Sequence, residues 1–441
     1  MPINTKRKGY ELAVRKARFV KDFSEGEFVV KAAGEKYLPK LGGQDQAEYE
    51  SYLGRGYLIP AVLPTAVATI GSIMRKPAMF SGGLDYLSRN VDGDNLSIDA
   101  FASSMINHLL ISGGVGYLVE FMDGKAYFKT YTLQNIINYS DDFVVLAQTY
   151  SYTSAKDKFD VIEKTEYLEL TFDEDGYYIQ NLWREGKKGS WSILETYIPL
   201  NRGARISKLP FVMVTPSKIG FHEADPILLD LANINLDQYK LSTDLRHGLH
   251  WTALPTLFLF GDLRDENGAR KAIVLGAGSA NIVEDTEARA ELLEFTGAGL
   301  DAIKQAIDDD VAAMASIGAK MLMSGGGGVK SAETARIDAS SETATLSTIA
   351  NTIDLAMENL LAIAAEWTGL AVSEFNINRD FINVSLDAQS LLALLHTWQG
   401  GGISLDSFLY QLEKGELLPP NISAADEAGR IETTGNDFDE A

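Results

Sequence analysis

The chain has no cysteine, which excludes a disulfide framework, thiol catalysis and any Cys-based zinc site. Histidine is scarce, at five residues in 441, and no Ser/His/Asp order stands out among them. Long apolar runs are also missing. The most extended, around Ala61–Ile73 and Leu360–Ala365, are too short or too interrupted to span a bilayer. The opening MPINTKRKGYELAVRKARF is basic but holds no uninterrupted apolar core, so no signal peptide is expected. Repeats at solenoid or propeller periods are absent. These gaps predict a soluble protein that makes no membrane contact.

What is present supports a substantial core. Hydrophobic residues make up 46% of the chain, with 19 Phe, 18 Tyr and 5 Trp, so wholesale disorder is excluded. The length allows two or three structural units, or one elongated subunit in several parts. The net charge of −22 is spread unevenly. Residues 1–21 carry Lys6, Arg7, Lys8, Arg15, Lys16, Arg18 and Lys21 against the single acid Glu11. The end of the chain carries Asp426, Glu427, Glu432, Asp437, Asp439 and Glu440 against Arg430. Two readings follow: a basic first helix with an acidic frayed tail, or a basic arm that meets an acidic partner surface. An acidic subunit lacks the cations that give sequence-independent affinity for phosphates. Any role with DNA is therefore passage, not grip.

Pattern along the chain predicts an α+β protein. Residues 1–80 read as mostly helical, with turns at Gly34, Leu38-Pro39 and Leu41–Gly43, and Pro60 and Pro64 breaking or kinking the next segment. Asp45–Tyr57 has acids early and Arg55 late, which suits a helix dipole. Ser97–Ser112 places Ile98, Phe101, Met105 and Leu109 on one helical stripe. From Gly113 the pattern becomes strand-like and aromatic-rich, in GVGYLVEFM, KAYFKTYTL, DDFVVLAQTYSYT, YLELTFDE, GYYIQNLWRE and GSWSILETYIP. Asp123-Gly124 and Asp175-Gly176 are hairpin signals, so an antiparallel unit is expected over about 113–215.

After Pro216 long helices return. Asp225-Pro226 reads as a helix start, with Ile227, Leu231, Ile234, Leu241, Leu245 and Leu249 on one stripe broken by Gln238. A helix over 226–250 would span roughly 37 Å. A Gly-bearing stretch with strand-like pieces, 251–298, follows. The next helix, 299–322, puts Leu300, Ile303, Ile307, Val311, Met314, Ile317 and Met321 on one face, and Asp301, Lys304, Asp308 and Asp309 on the other. Ser324–Gly328 reads as a mobile loop, because four glycines leave the backbone free. A third long helix is expected over 340–368, carrying Leu346, Ile349, Ile353, Met357, Leu360, Ala364 and Trp367 and stopping at Gly369. Beyond it come a strand-like FNINRDFINVSL, short helices at 387–399 and 404–414, and the acidic tail. Long apolar stripes of this kind are covered either within a bundle or by neighbouring subunits in a ring.

Four patterns imitate chemistry. Gly325–Ser331 brushes against a phosphate-binding loop, but Val329 stands where the second glycine belongs and a helix precedes the run. Val274–Asn281 offers Gly276 and Gly278 with Glu284 and Asp285 nearby. Asn281 replaces the third glycine there, and a turn is the better reading. Asp244, His247 and His250 are spaced by three, a step that drifts around a helix, so structural hydrogen bonding is favoured over a metal site. Asp308, Asp309 and Asp310 cannot share one face and read as a solvated acidic patch. No catalytic residue, cofactor site or metal site is expected, and a nucleotide-dependent enzyme is the weakest of the readings.

The phrase ADPILLDLANINLDQYKLSTDLRHGLHWTALPTLFLFG, residues 224–261, resembles a phage family long catalogued as a domain of unknown function and related to tailed-bacteriophage portal proteins. So do YLPKL at 37–41, EYESYLGRGY at 48–57, ATIGSIMRKP at 68–77, and SAETARIDASSETATLSTIANTIDLAMENLLAIAAEWTGL at 331–370. These pieces are ordered and spread over nearly the whole chain.

The resemblance implies a portal fold: an α/β wing (1–222), a two-helix stem (223–250 and 299–322), a small clip (251–298), a tunnel loop (323–334), a long wing helix with a returning strand (335–386), and a helical crown and tail (387–441). It implies a dodecameric ring at one capsid vertex, with double-stranded DNA passing through during packaging, retention and ejection. The expected partners are the terminase packaging motor, the major capsid protein, and head-completion, adaptor or tail proteins. The expected location is the virion, with the host cytoplasm during assembly. The tunnel loop would be Ser324, Gly325, Gly326, Gly327 and Gly328, richer in glycine than the family pattern. Lys320, Lys330 and Arg336 flank it as candidate DNA-proximal cations, with exposed charges or inter-subunit salt bridges as the plainer reading. The alternative is another ring-forming virion component, a head–tail connector or an ejection protein.

Overall fold

The computed structural model describes residues 2–153, 157, 159–186, 189–253, 256–260, 289–293, 297, 299–322, 332–379, 381, 388–415, 417–419 and 422–439. The fold is α+β, as the sequence pattern predicts.

Helices open the chain. α1 (Tyr10–Glu25) buries Tyr10, Val14, Ala17, Val20 and Phe23 at helical spacing. α2 (Glu27–Ala32) follows a turn at Gly26. α3 (Gln46–Arg55) starts where the Asp45 carboxylate accepts the Glu48 amide at 2.8 Å. α4 (Val62–Ile73) carries Pro64 in its first turn, where no intrahelical amide is needed, so the expected break becomes a start. After the short strand β1 (Met79–Ser81), α5 (Ile98–Ile111) is capped by Ser97 and buries Ile98, Phe101, Met105 and Leu109, the predicted stripe.

The strands follow as expected from Gly113. β2 (Val115–Met122) and β3 (Lys125–Thr132) turn at Asp123-Gly124, both with positive φ, which matches the twist of a tight hairpin. β4 (Ile136–Tyr139), β5 (Val144–Thr153), β6 (Val161–Phe172), β7 (Tyr178–Glu185) and β8 (Trp191–Tyr197) pair in that order as one antiparallel sheet. After the small pair β9 (Leu200–Asn201) and β10 (Ala204–Arg205), β11 (Phe211–Val214) joins β2 to give a second sheet, ordered β11–β2–β3.

α6 (Leu229–Ala253) and α7 (Leu300–Leu322) pack side by side. Gly248 lies against Leu300, whereas Asp237 faces Asp310, so the two helices run antiparallel. Between them in sequence, β12 (Thr256–Phe260) and β13 (Arg289–Leu293) form an antiparallel hairpin. The expected helix start at Asp225-Pro226 is corrected: α6 begins at Leu229.

α8 (Ala332–Thr368) is longer than the predicted 340–368, and its first turn reaches back into the 323–334 segment expected as loop. Ala332, Glu333, Ala335 and Arg336 are strong helix formers, so propensity extends the helix. Its buried side chains Leu346, Ile349, Ile353, Met357, Leu360, Ala364 and Trp367 are those predicted. All but Trp367 join the main core with α5 and β2, and Trp367 packs in the adjoining cluster. Gly369, with φ +69°, stops the helix, and its amide donates to the Ala365 carbonyl at 2.8 Å. The returning strand is β14 (Glu374–Asn376), paired with β1. α9 (Ala388–Gln399), α10 (Leu405–Lys414) and α11 (Ala424–Asp439) close the chain. The tail expected to fray is helical. Ser423 and Asp426 bond reciprocally at its start, each side chain accepting the other's amide at 3.1 Å.

Candidate functional site

The segment with the most distinctive construction is the α6–α7 pair and its anchorage to the helical body. Of the predicted α6 stripe, Leu231 is buried, Ile234, Leu241 and Leu245 are partly buried, and Leu249 is 48% exposed. Beyond Leu231 and Ala232, the residues that α6 buries are largely polar: Asn235, Gln238, Ser242 and Thr243, with Tyr239 among them. Each of the first three meets the extended backbone of residues 56–59. Asn235 Nδ2 donates to the Ile59 carbonyl at 3.0 Å. The Ile59 amide donates to Gln238 Oε1 at 3.0 Å, while Gln238 Nε2 donates to the Tyr57 carbonyl at 3.1 Å. Ser242 Oγ also donates to that carbonyl. An extended segment buried against a helix lacks a strand partner, and these side chains supply one. Gly56 makes the approach feasible, since a Cβ there would lie 2.8 Å from the Tyr239 ring.

The end of α6 extends the same clamp. The Tyr52 hydroxyl donates to Asp244, and burial, followed by that carboxylate, pushes the phenol above its ordinary range. Arg246 lies over the Tyr57 ring at 4.5 Å, and the His247 ring meets Tyr52 edge-on at 5.1 Å. Burial, helped by Arg55, lowers the His247 pKa. Asp244 and His247 are thus engaged with α3. Among the described residues, no group of three His, Cys, Asp or Glu could hold a metal ion.

At its other end, α6 is tied in through the strap before it. The amides of Ile227 and Leu228 donate to the carbonyls of Leu109 and Leu110, two of the groups that the C-terminus of α5 leaves without helical partners. Asp225 does not cap α6, which begins four residues later, and its carboxylate takes Lys16 Nζ at 2.7 Å. Gly113, with φ +74°, leaves room for this strap: a Cβ would stand 2.7 Å from the Ala224 oxygen and the Pro226 nitrogen.

On α7, Met314 is buried, Ile303, Ile307 and Ile317 are partly buried, and Val311 is 37% exposed. The three aspartates do not share one face, as predicted, but the expected solvated patch is corrected, because it holds for only two of them. Asp308 and Asp309 face solvent, whereas Asp310 is half-buried towards α6. Burial first, then Asp237 and Asp309, raises the Asp310 carboxyl above the ordinary carboxylate range.

Ser324, Gly325, Gly326, Gly327, Gly328 and Lys330 lie outside the described residues, as do Gly276, Gly278, Glu284 and Asp285. Lys320 falls on α7 and Arg336 on α8, with side chains outside the described set. Within the basic N-terminus, Lys6 pairs with Glu11, Arg7 with Glu223, Lys16 with Asp225 and Lys21 with Glu25. Among the described residues, no helix is long and apolar enough to cross a membrane.

Residues 227–368 match a protein family described as a domain of unknown function, DUF4055. That stretch runs from the α6 strap to the last residue of α8. Two solved structures similar to the chain are titled as the virion of a native gene transfer agent particle and the neck of an empty particle of that kind computed with C6 symmetry. Their TM-scores are 0.40 and 0.41, their identities 12% and 11%, and in each case 90% of this chain and 99% of the other are covered. A third, the neck of a native particle computed with C12 symmetry, has a TM-score of 0.39 and 12% identity over 82% of this chain and 89% of the other. No curated protein matches the chain.

Proposed function

We propose that the chain is a non-enzymatic portal subunit, forming a ring-shaped channel at one capsid vertex through which DNA is packaged, retained and ejected. The observation that carries this reading is the arm of α6 and α7. Two long antiparallel helices are separated in sequence by a strand hairpin and followed by the 37-residue helix α8. Leu249 and Val311 on that arm keep much of their surface exposed in one chain, as an element completed by copies of itself would. The ordered resemblance of residues 37–41, 48–57, 68–77, 224–261 and 331–370 to portal-related phage proteins supports the same reading.

Charge is consistent with passage. A net −22 per subunit, with Asp308 and Asp309 exposed on α7, disfavours adhesion of a phosphate backbone. In this reading the clip segment meets the packaging motor during filling and head-completion or tail proteins afterwards, and the subunit works in the virion after assembly in the host cytoplasm.

Native mass measurement with two-dimensional image averages of the purified full chain tests the proposal. A ring of about twelve copies with a central hole, and no nucleotide turnover, is the expected result. A monomer that hydrolyses ATP would overturn it. A connector or ejection protein would show a ring that binds no packaging motor.

A further inference from the structure

The five-stranded sheet treats its two edges differently. Along β4, the N-terminal segment seals the edge: the Arg7 amide donates to the Ile137 carbonyl at 3.1 Å, and Asn138 Nδ2 donates to the Thr5 carbonyl at 3.2 Å. Along β8 the described residues provide no further strand, and Ile193, Leu194 and Tyr197 stand 46%, 56% and 57% exposed. An open, apolar edge of this kind is a docking surface unless it is covered. Beside it lies a groove of about 460 Å³, with Phe121, Tyr197 and Trp367 among its walls and the carboxylates of Asp92, Glu120 and Glu195 around it. Lys129 approaches Glu120 at 3.7 Å, and both side chains remain largely exposed, so the groove keeps an acidic excess.

The complementary surface is on the same chain. Leu12, Arg15 and Arg18 follow one another at three-residue steps along the outer side of α1, with Lys8 just ahead of the helix, and all four are exposed. Lys8, Arg15 and Arg18 form no ion pair among the described residues.

The register of the sheet puts these two surfaces on opposite sides. Ala147, Tyr167, Trp183 and Ile193 are paired across β5 to β8 and share one face, and α1 packs on that face through Tyr10 and Val14. Leu168, Leu182 and Glu195 are paired on the other face, which lines the groove. One copy therefore cannot fill its own groove with its own helix, whereas each copy can fill the next. Such a head-to-tail contact closes into a ring when the rotation between copies closes.

We propose that the outer face of α1 in one copy of this chain seats in the groove beside β8 of the next, with Arg15 and Arg18 meeting Glu120 and Glu195 and Leu12 reaching the aromatic wall. The contact rests on the ring reading above and names the surfaces that build the ring. Charge steers the approach and fixes the register, and the exposed Tyr197 of β8, which lines the groove, is covered in the process.

Two charge-reversed chains test it, R15E/R18E and E120K/E195K, each followed by native mass spectrometry at low salt. Each alone sets like charges against each other, and the expected result is loss of the ring. Mixed one to one, every contact is again complementary, and the ring should return. A ring that persists in either variant alone, or a mixture that stays dissociated, overturns the contact. Independently, L12C/Y197C in the otherwise cysteine-free chain should give an oxidative ladder of cross-linked copies, and absence of the ladder overturns it too. A parent chain that forms rings indifferent to these changes sinks the contact alone. A monomeric parent sinks both the contact and the channel reading.

Discussion

Gln238 and Ile59, 179 residues apart, meet where the Ile59 amide donates to the Gln238 side-chain oxygen at 3.0 Å. The same amide side chain donates back to the Tyr57 carbonyl, so one residue of α6 serves both sides of an extended segment as a neighbouring strand would. This relationship fixes the long arm to the helical body through hydrogen bonds that only one register of α6 can make.

Gln238→Leu keeps the volume and removes the partners. The Ile59 amide then loses its acceptor and the Tyr57 carbonyl keeps only Ser242, at a cost of about 1–3 kcal/mol. Denaturant unfolding of the full chain measures this as a lower midpoint. A change below about 0.5 kcal/mol would show that water replaces the side chain and that the clamp contributes little.

The clamp also marks where sequence reading stops. Hydrophobic spacing found the buried faces of α5 and α8, because their neighbours are apolar side chains. On α6 it found Leu231, but Leu241, Leu245 and Leu249 stay partly or well exposed while Asn235, Gln238 and Ser242 are buried. The neighbour there is a backbone, and a backbone selects donors and acceptors that no apolar period reveals. Strands bounded by clear turns were legible from Gly113 onward. β1, β4 and β11, at three and four residues, are too short to show alternation. As for the candidate site, the order of long helix, insert and long helix was readable, and the polarity of its anchorage was not.

Gly113 should tolerate no side chain. Its φ of +74° is disfavoured for L residues, and a Cβ would press on the backbone of the strap at Ala224–Pro226. Gly113→Ala is expected to cost about 2–4 kcal/mol, from the left-handed conformation and the displaced strap together. Melting temperatures of parent and variant decide the matter. An unchanged melt would mean that the strap moves aside freely.

Acid should weaken the fold through histidine. Burial lowers the pKa of His108, and burial with Arg55 lowers that of His247, both below the ordinary value near 6.5. The unfolded chain therefore binds protons more readily than the folded one as pH falls. Stability from this source is intact above about pH 7 and declines as pH drops through 6.5 towards the folded values. The denaturant midpoint should fall between pH 7.5 and pH 5.5, and His108→Gln should reduce that slope. An identical slope in the variant would remove His108 from the account.

Asp225 offers a test of what starts α6. As a cap it would lose about 1 kcal/mol on replacement by Ala whatever Lys16 is. As the partner of Lys16 across an exposed ion pair, it should lose less than about 1 kcal/mol, and nothing once Lys16 is already Ala. A double-mutant cycle with K16A and D225A separates the two. Additive losses would restore the capping role that the sequence suggested.

The glycine run Gly325–Gly328 carries the last prediction, and it concerns transport. Four consecutive glycines leave the chain more conformations than any other residue would, and alanines in their place remove much of that freedom without adding charge or bulk. If the proposed channel yields to passing DNA through this segment, replacing all four with Ala should leave assembly of the ring unchanged while lowering the amount of DNA packaged or retained. Ring assembly is read by mass, and packaging by nuclease-protected DNA per particle. Particles that fill and hold their DNA normally with the stiffened segment would strip it of that role, while the ring itself would stand.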